Sequence, residues 1–302
     1  MSGAKLISHQ LNKRILFIII SIFIISSLLV IWSSSRGVKV RGVSFKSNGL
    51  NIVGHIYLPS GEGPFPAIIL SHGSNVQGHN LFLYRQMCKR FAKRGYFVSS
   101  FDYRGYGDSE DPPKIETADD LDFTQDLVSA TSFLLQKYGK GISDITLVGH
   151  SFGGGIGIAA GVKDKRVKRI VAIAPGRRFK ERFLEPGAPE GKEWLQRRLI
   201  KDMRLKEPIP LGIIEEFTWP ILIDTYAEHC FDKPILLIDG SLESKKDREF
   251  LRNIFERMKG NKSYITIEDA GHYFGTKKFG TVKDPEILEE LINVIDTWIK
   301  KN

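Results

Sequence analysis

At 302 residues, with 42% hydrophobic and 26% charged side chains, the chain has the composition of a folded protein of one large or two small domains, which excludes a disordered or low-complexity polypeptide. Lys and Arg outnumber Asp and Glu by 44 to 35, a net charge of +9. No zinc-ligand pattern and no basic tract interleaved with aromatics accompanies that charge, so a solvated basic surface is expected rather than a nucleic-acid partner.

A short tail, residues 1–14, precedes ILFIIISIFIISSLLVIW at 15–32, a run without charge and with only three serines. As a helix it would rise roughly 27 Å, close to the ~30 Å hydrocarbon core of a bilayer. The sequence therefore predicts a transmembrane signal-anchor. Lys13 and Arg14 before it and Arg36, Lys39 and Arg41 after it are nearly balanced, so charge does not fix its orientation. A cleaved signal peptide is the alternative; it is disfavoured by the length of the apolar run and the lack of an Ala-x-Ala site, although Ser33 and Ser35 are small.

From residue 38 onward the periodicity is that of a folded domain. VKVRGVSF and NIVGHIYLP flank Ser47-Asn48-Gly49, a hairpin signal. PAIILSHG is a short apolar strand, followed by a helix with Leu83, Met87 and Phe91 at helical spacing and Gly95 as its stop. YFVSSFDYRGYGDS is a strand and a glycine-rich loop; the stretch through Phe123, Leu127, Ala130 and Leu134 is a helix. DITLVGHSFGGGIGIAAG reads as strand, sharp turn and small-residue helix, and VKRIVAIAP as a strand. The alternation lapses over about 176–232, an arginine-rich helical insertion, and resumes with the strand PILLIDG, a helix, the strand SYITIED and a last helix with Asp284 as N-cap and Pro285 in its first turn. Short apolar strands alternating with amphipathic helices imply a mostly parallel sheet covered on both faces.

Chemistry concentrates at VGHSFGG, where Ser151 stands between glycines at a strand-to-helix junction. A serine there must occupy a strained turn that exposes its hydroxyl at the C-terminal edge of the sheet. It needs a base, because a hydroxyl is a poor nucleophile near neutrality. Of the seven histidines, His9 precedes the apolar run, His55 lies in a strand, His150 adjoins the serine along its own backbone path, His229 belongs to the insertion and His79 reads as a surface loop residue. His272, in DAGHYF after the last strand, falls at the same sheet edge as Ser151 and is the expected base. SHGSN after the third strand is placed to supply an oxyanion site from the backbone N–H groups of Ser74 and Phe152, with His72-Gly73 as a mere strand terminus the alternative.

The ordered set ILSHGS, FDYRGYGDS, VGHSFGGG, PILLIDGSLE and DAGHYF resembles the α/β-hydrolase superfamily over roughly residues 43–300. The resemblance implies an α/β fold with an eight-stranded, mostly parallel sheet and a helical cap inserted after the sixth strand. It also implies a triad in the order nucleophile, acid, histidine. In the family the acid commonly stands as Asp in His-Gly-x-x-Asp; here Gly240 is followed by Ser241, Leu242 and Glu243. Glu243 is therefore the favoured acid and Asp247 the alternative, with Asp239 a loop or supporting residue. Closer likeness is to membrane-tethered acyl hydrolases of the serine-aminopeptidase or dienelactone-hydrolase type. The expected activity is serine hydrolysis of an ester, thioester or related acyl bond, of a lipid-like or acidic acyl substrate and without metal or organic cofactor. A serine peptidase of the same fold and a non-catalytic scaffold are the alternatives.

Overall fold

The computed structural model describes residues 37–175, 180–205, 208–218, 221–278 and 280–302. The predicted anchor at 15–32 lies outside the described residues, as do Arg177 and Arg178 of the insertion. Among the described residues no helix is long and apolar enough to cross a membrane. Lys39–Asn302 form one compact unit.

The unit begins with β1 (Lys39–Ser47) and β2 (Leu50–Leu58), antiparallel and in continuous register from Lys39 opposite Leu58 to Ser47 opposite Leu50. Asn48 and Gly49 both take positive φ, 46° and 84°, which gives a two-residue turn whose twist suits the flanking strands. Strands β3 (Phe65–Ser71), β4 (Phe97–Phe101), β5 (Ile142–His150), β6 (Arg169–Ile173), β7 (Cys230–Gly240) and β8 (Lys259–Ile267) follow. The sheet order is β1-β2-β4-β3-β5-β6-β7-β8; β1, β2 and β4 pair antiparallel, and every other neighbouring pair is parallel. Strands β4 and β6 are buried at every position, so both faces of the central sheet are covered.

The covering helices are α1 (Phe82–Lys93), α2 (Phe123–Tyr138), α3 (Phe152–Lys163), α6 (Lys245–Arg257) and α7 (Pro285–Lys301); α4 (Gly191–Met203) and α5 (Leu211–Thr218) belong to the segment between β6 and β7. On α1, Leu83, Met87 and Phe91 are all buried, as their spacing demands. Asp284 caps α7 by accepting from the N–H groups of Glu286 and Ile287, with Pro285 behind it.

Strand β7 starts earlier than the apolar run suggests. Its pairing with β8 is irregular between Phe231 and Ile235, where Asp232-Lys233-Pro234 interrupts the pattern. Pro234 has no N–H to give the ladder, and the Lys233 ammonium donates to the carbonyls of Gly161 (2.6 Å) and Asp164 (2.7 Å) at the end of α3. A buried ion pair fixes the loop after β4: Arg104, only 2% exposed, spans Asp126 through Nε and Nη2 (3.1 and 2.8 Å) and takes the carbonyl of Asp119 on Nη1.

Candidate active site

Ser151 is the hinge between β5 and α3. Its φ and ψ are 55° and −121°, a conformation costing on the order of 1–3 kcal/mol, and its N–H is held by the carbonyl of Ile173 at 2.8 Å. The flanking glycines are required by contact. A Cβ on Gly149 would lie 2.1 Å from the carbonyl oxygen of Gly153, and one on Gly153 would lie 2.5 Å from that of His72.

The loop after β8 brings His272 to the serine. The Ser151 hydroxyl donates to His272 Nε2 at 3.1 Å, and His272 Nδ1–H donates to Glu243 Oε1 at 2.7 Å. Glu243 reaches this position because the turn after β7 is stitched to the histidine loop. The N–H of Ser241 bonds Ile267, that of Leu242 bonds Ala270, and Asp269 N–H bonds the Ser241 hydroxyl. Asp247 lies one helical turn on, in α6. Its N–H donates to the hydroxyl of the N-cap Ser244, and its carboxylate accepts from that hydroxyl at 2.5 Å. Asp239 is inside β7 rather than in a loop and accepts from the Tyr264 hydroxyl at 2.5 Å.

Two peptide groups lie at the serine, one in the loop after β3 and the other its own link to Phe152 at the start of α3. The carbonyl of Gly73 accepts from His72 Nδ1 (2.8 Å) and Asn75 Nδ2 (2.7 Å). A trans peptide is planar, so these bonds also fix the Ser74 N–H, which points the opposite way. Likewise the Ser151 carbonyl accepts from Gly154 N–H at 2.9 Å, which turns the Phe152 N–H back toward the start of α3, where N–H groups lack intrahelical partners. Burial lowers the His72 pKa to about 4. The ring is therefore neutral near pH 7, with Nδ1–H donating and Nε2 accepting from Tyr103 N–H.

The sequence misplaced two histidines. His150, the residue before the nucleophile, is buried and bridges the site: Nε2–H donates to the His272 carbonyl (2.8 Å) and Nδ1 accepts from the Tyr84 hydroxyl (2.9 Å), which accepts from Gly73 N–H (2.8 Å). The loops carrying His272 and Ser74 are thus tied through the side chains of His150 and Tyr84. His79 is 1% exposed rather than superficial; its ring lies 2.8 Å from Asp102 on one side and 2.7 Å from His55 Nδ1 on the other.

A cavity of about 350 Å³ opens above Ser151, Phe152, His272 and Ser74. Its remaining walls include Phe183, Trp194, Leu195, Leu199, Ile221 and Leu222 from between β6 and β7, with the cations Arg182, Arg198 and Lys278 and, among the described residues, no carboxylate. Phe183 and Trp194 stack at 5.2 Å; the Arg182 guanidinium sits 5.1 Å from the Phe183 ring centre and that of Arg198 6.0 Å from the Trp194 ring. Of the described arginines in this segment, Arg182 pairs with Glu190 and Arg198 with Asp202, both partly exposed, while Arg197 and Arg204 are exposed. None of these wall residues carries a motif, so no sequence signal marked them.

Among the described residues no group of three or more His, Cys, Asp or Glu side chains could hold a metal ion. The arrangement is that of a relay able to draw a proton from a hydroxyl and stabilise an anion beside it.

The chain is similar to the thiohydrolase aneE of Aspergillus aculeatus, 34% identical over 128 residues, 42% of this chain and 39% of the relative. It is also similar to the esterase EstD of Thermotoga maritima, 28% identical over 144 residues, 46% and 33% of the two chains. It spans less than half the length of these curated relatives. The α/β hydrolase GrgF from Penicillium sp. superposes with a TM-score of 0.60 at 20% identity, covering 87% of this chain and 98% of that one, a likeness of fold. The family model described as "Serine aminopeptidase, S33" matches residues 63–229, more than half of the sequence, and the chain belongs to that α/β-hydrolase family.

Proposed function

We propose that the protein is a serine hydrolase that cleaves an ester or thioester through an acyl-enzyme on Ser151. The observation that carries this reading is the unbroken chain of hydrogen bonds from Ser151 Oγ through His272 to Glu243. His272 Nε2 takes the hydroxyl proton as Oγ attacks the acyl carbon. The tetrahedral oxyanion is held by the N–H groups of Ser74 and Phe152, and collapse passes the proton from Nε2 to the leaving group. Water activated by the same nitrogen then releases the acid. Glu243 keeps Nδ1 protonated and offsets the imidazolium charge throughout. An aryl fluorophosphonate is expected to add to the protein in a one-to-one ratio, with peptide mapping placing the adduct on Ser151. No adduct, or one on another residue, would sink the mechanism.

The cavity favours an acyl substrate over a peptide amino terminus. An α-ammonium group calls for a carboxylate partner, and among the described residues the walls have none; they have three cations and an aromatic stack. The substrate class proposed is an acyl group with an apolar or aromatic body and an anionic end. With p-nitrophenyl esters, a glutarate monoester should have the higher kcat/KM than the butyrate. The paired substitutions Arg182→Gln and Lys278→Gln should erase that preference, a change of about tenfold for one charge-assisted contact. Equal kcat/KM values in wild type would refute the charge selection while leaving hydrolysis intact.

Residues 15–32 are proposed to tether the enzyme to a membrane, on the strength of their charge-free length. Full-length protein should stay in the pellet after alkaline carbonate extraction, whereas release to the supernatant would refute the anchor.

A further inference from the structure

Helix α4 ends on the site rather than beside it. Arg204, in the left-handed region at φ 59° and ψ 27°, terminates the helix, and consecutive residues before and at that turn meet the loops around Ser151. Asp202 Oδ2 accepts from the Ser74 hydroxyl at 2.9 Å and from Arg198 Nε at 2.6 Å. Met203 packs on Gly105, where an added Cβ would lie 2.6 Å from its terminal methyl. Arg204 Nη2 donates to the carbonyl of Val76 at 2.8 Å.

Asp202 is 4% exposed, and a carboxylate so buried is costly unless its hydrogen bonds are made. It is 128 positions from the serine it binds. The Ser74 hydroxyl also accepts from Tyr106 O–H at 3.0 Å, so the side chain is gripped on the far side from the peptide bonds that fix Gly73. The Ser74 N–H is therefore set from two directions: by its own peptide plane, through His72 and Asn75, and by its side chain, through Tyr106 and Asp202.

We propose that Asp202 is a positioning residue that fastens the Ser74 N–H in place, so that the oxyanion site is complete only when the segment between β6 and β7 is docked. This inference rests on the reading of Ser151 as the nucleophile. The donor it sets interacts with charge that develops in the transition state, so its loss falls on kcat and not on substrate affinity.

The test compares wild type with Asp202→Ala and Ser74→Ala, both of which keep the Ser74 N–H. Each should lower kcat for p-nitrophenyl butyrate by 10- to 100-fold with KM within twofold. Each should also weaken an alkyl boronic acid, whose tetrahedral adduct mimics the intermediate, by a similar factor. The two changes remove one link, so the double variant should be no worse than the poorer single one. Unchanged kcat and boronate affinity in an active protein would overturn the positioning role alone. So would losses in kcat and KM that merely track a fall in Tm. Should Asp202→Ala fail to fold, Ser74→Ala, which deletes a single oxygen, decides the matter. A wild type that neither hydrolyses the ester nor binds the boronate would overturn the hydrolase reading, and this inference with it.

Discussion

Ser151→Ala is expected to lower kcat for an activated ester by on the order of 10⁴ to 10⁶, with KM changed by no more than a few fold. Alanine suits the strained elbow about as poorly as serine does, so the substitution removes one oxygen and little structure. The turn remains braced by the Ser151–Ile173 backbone bond and by the close approach of Gly149 to Gly153. Without the hydroxyl no acyl-enzyme forms, and what is left is water attack assisted by the oxyanion donors and by binding. Steady-state kinetics beside a thermal melt separates the outcomes. Retention of more than about one hundredth of wild-type turnover, well above that range, would mean that another group performs the attack.

Glu243→Gln should cost on the order of 10³ to 10⁴ in kcat, and Asp247→Asn less than threefold. The contrast follows from where the carboxylates point. Glu243 receives the Nδ1 proton of His272 at 2.7 Å, and a glutamine there can offer an amide N–H to the same nitrogen, which favours the tautomer with its proton on Nε2, the atom that must accept from Ser151. Asp247 is engaged by its own helix cap through Ser244. Glu243→Asp keeps the charge but withdraws it by one methylene, so activity between that of wild type and glutamine is the expected result. A large loss in Asp247→Asn with Glu243→Gln near normal would transfer the role to Asp247.

What could be read from the sequence was whatever short-range chemistry dictates. The Asn48-Gly49 turn, the Asp284-Pro285 helix start and the glycines around Ser151 each satisfy a local backbone demand, and each stands where the chain pattern placed it. Glu243 was marked by no local backbone demand; it was singled out through the family pattern that follows Gly240. Residues whose place depends on remote partners were not legible. His79 looked like a surface histidine because Asp102, just after β4, and His55, in β2, which flank its ring, are remote in sequence. His150 gained its position from Tyr84 and from the backbone of His272, 122 residues away. Asp202 lies in a helix whose charge pattern reads as an ordinary i to i+4 pair with Arg198, and nothing near it announces Ser74. The early start of β7 was hidden by the Asp232-Lys233-Pro234 irregularity.

The hydrogen-bonded parts of the site come from β5, from the turn after β7 and from the loop after β8, and the segment that matches the family model ends at residue 229, before both Glu243 and His272. Ser151 and His272 are 121 positions apart, and their contact depends on the parallel strands β5, β6, β7 and β8 being paired side by side. Such non-local parallel pairings are slow to form, because loop-closure entropy is spent before the contacts reward it. On the proposed mechanism, reactivity at Ser151 requires His272 from the loop after β8, so a chain truncated before β8 would carry the elbow sequence without its base.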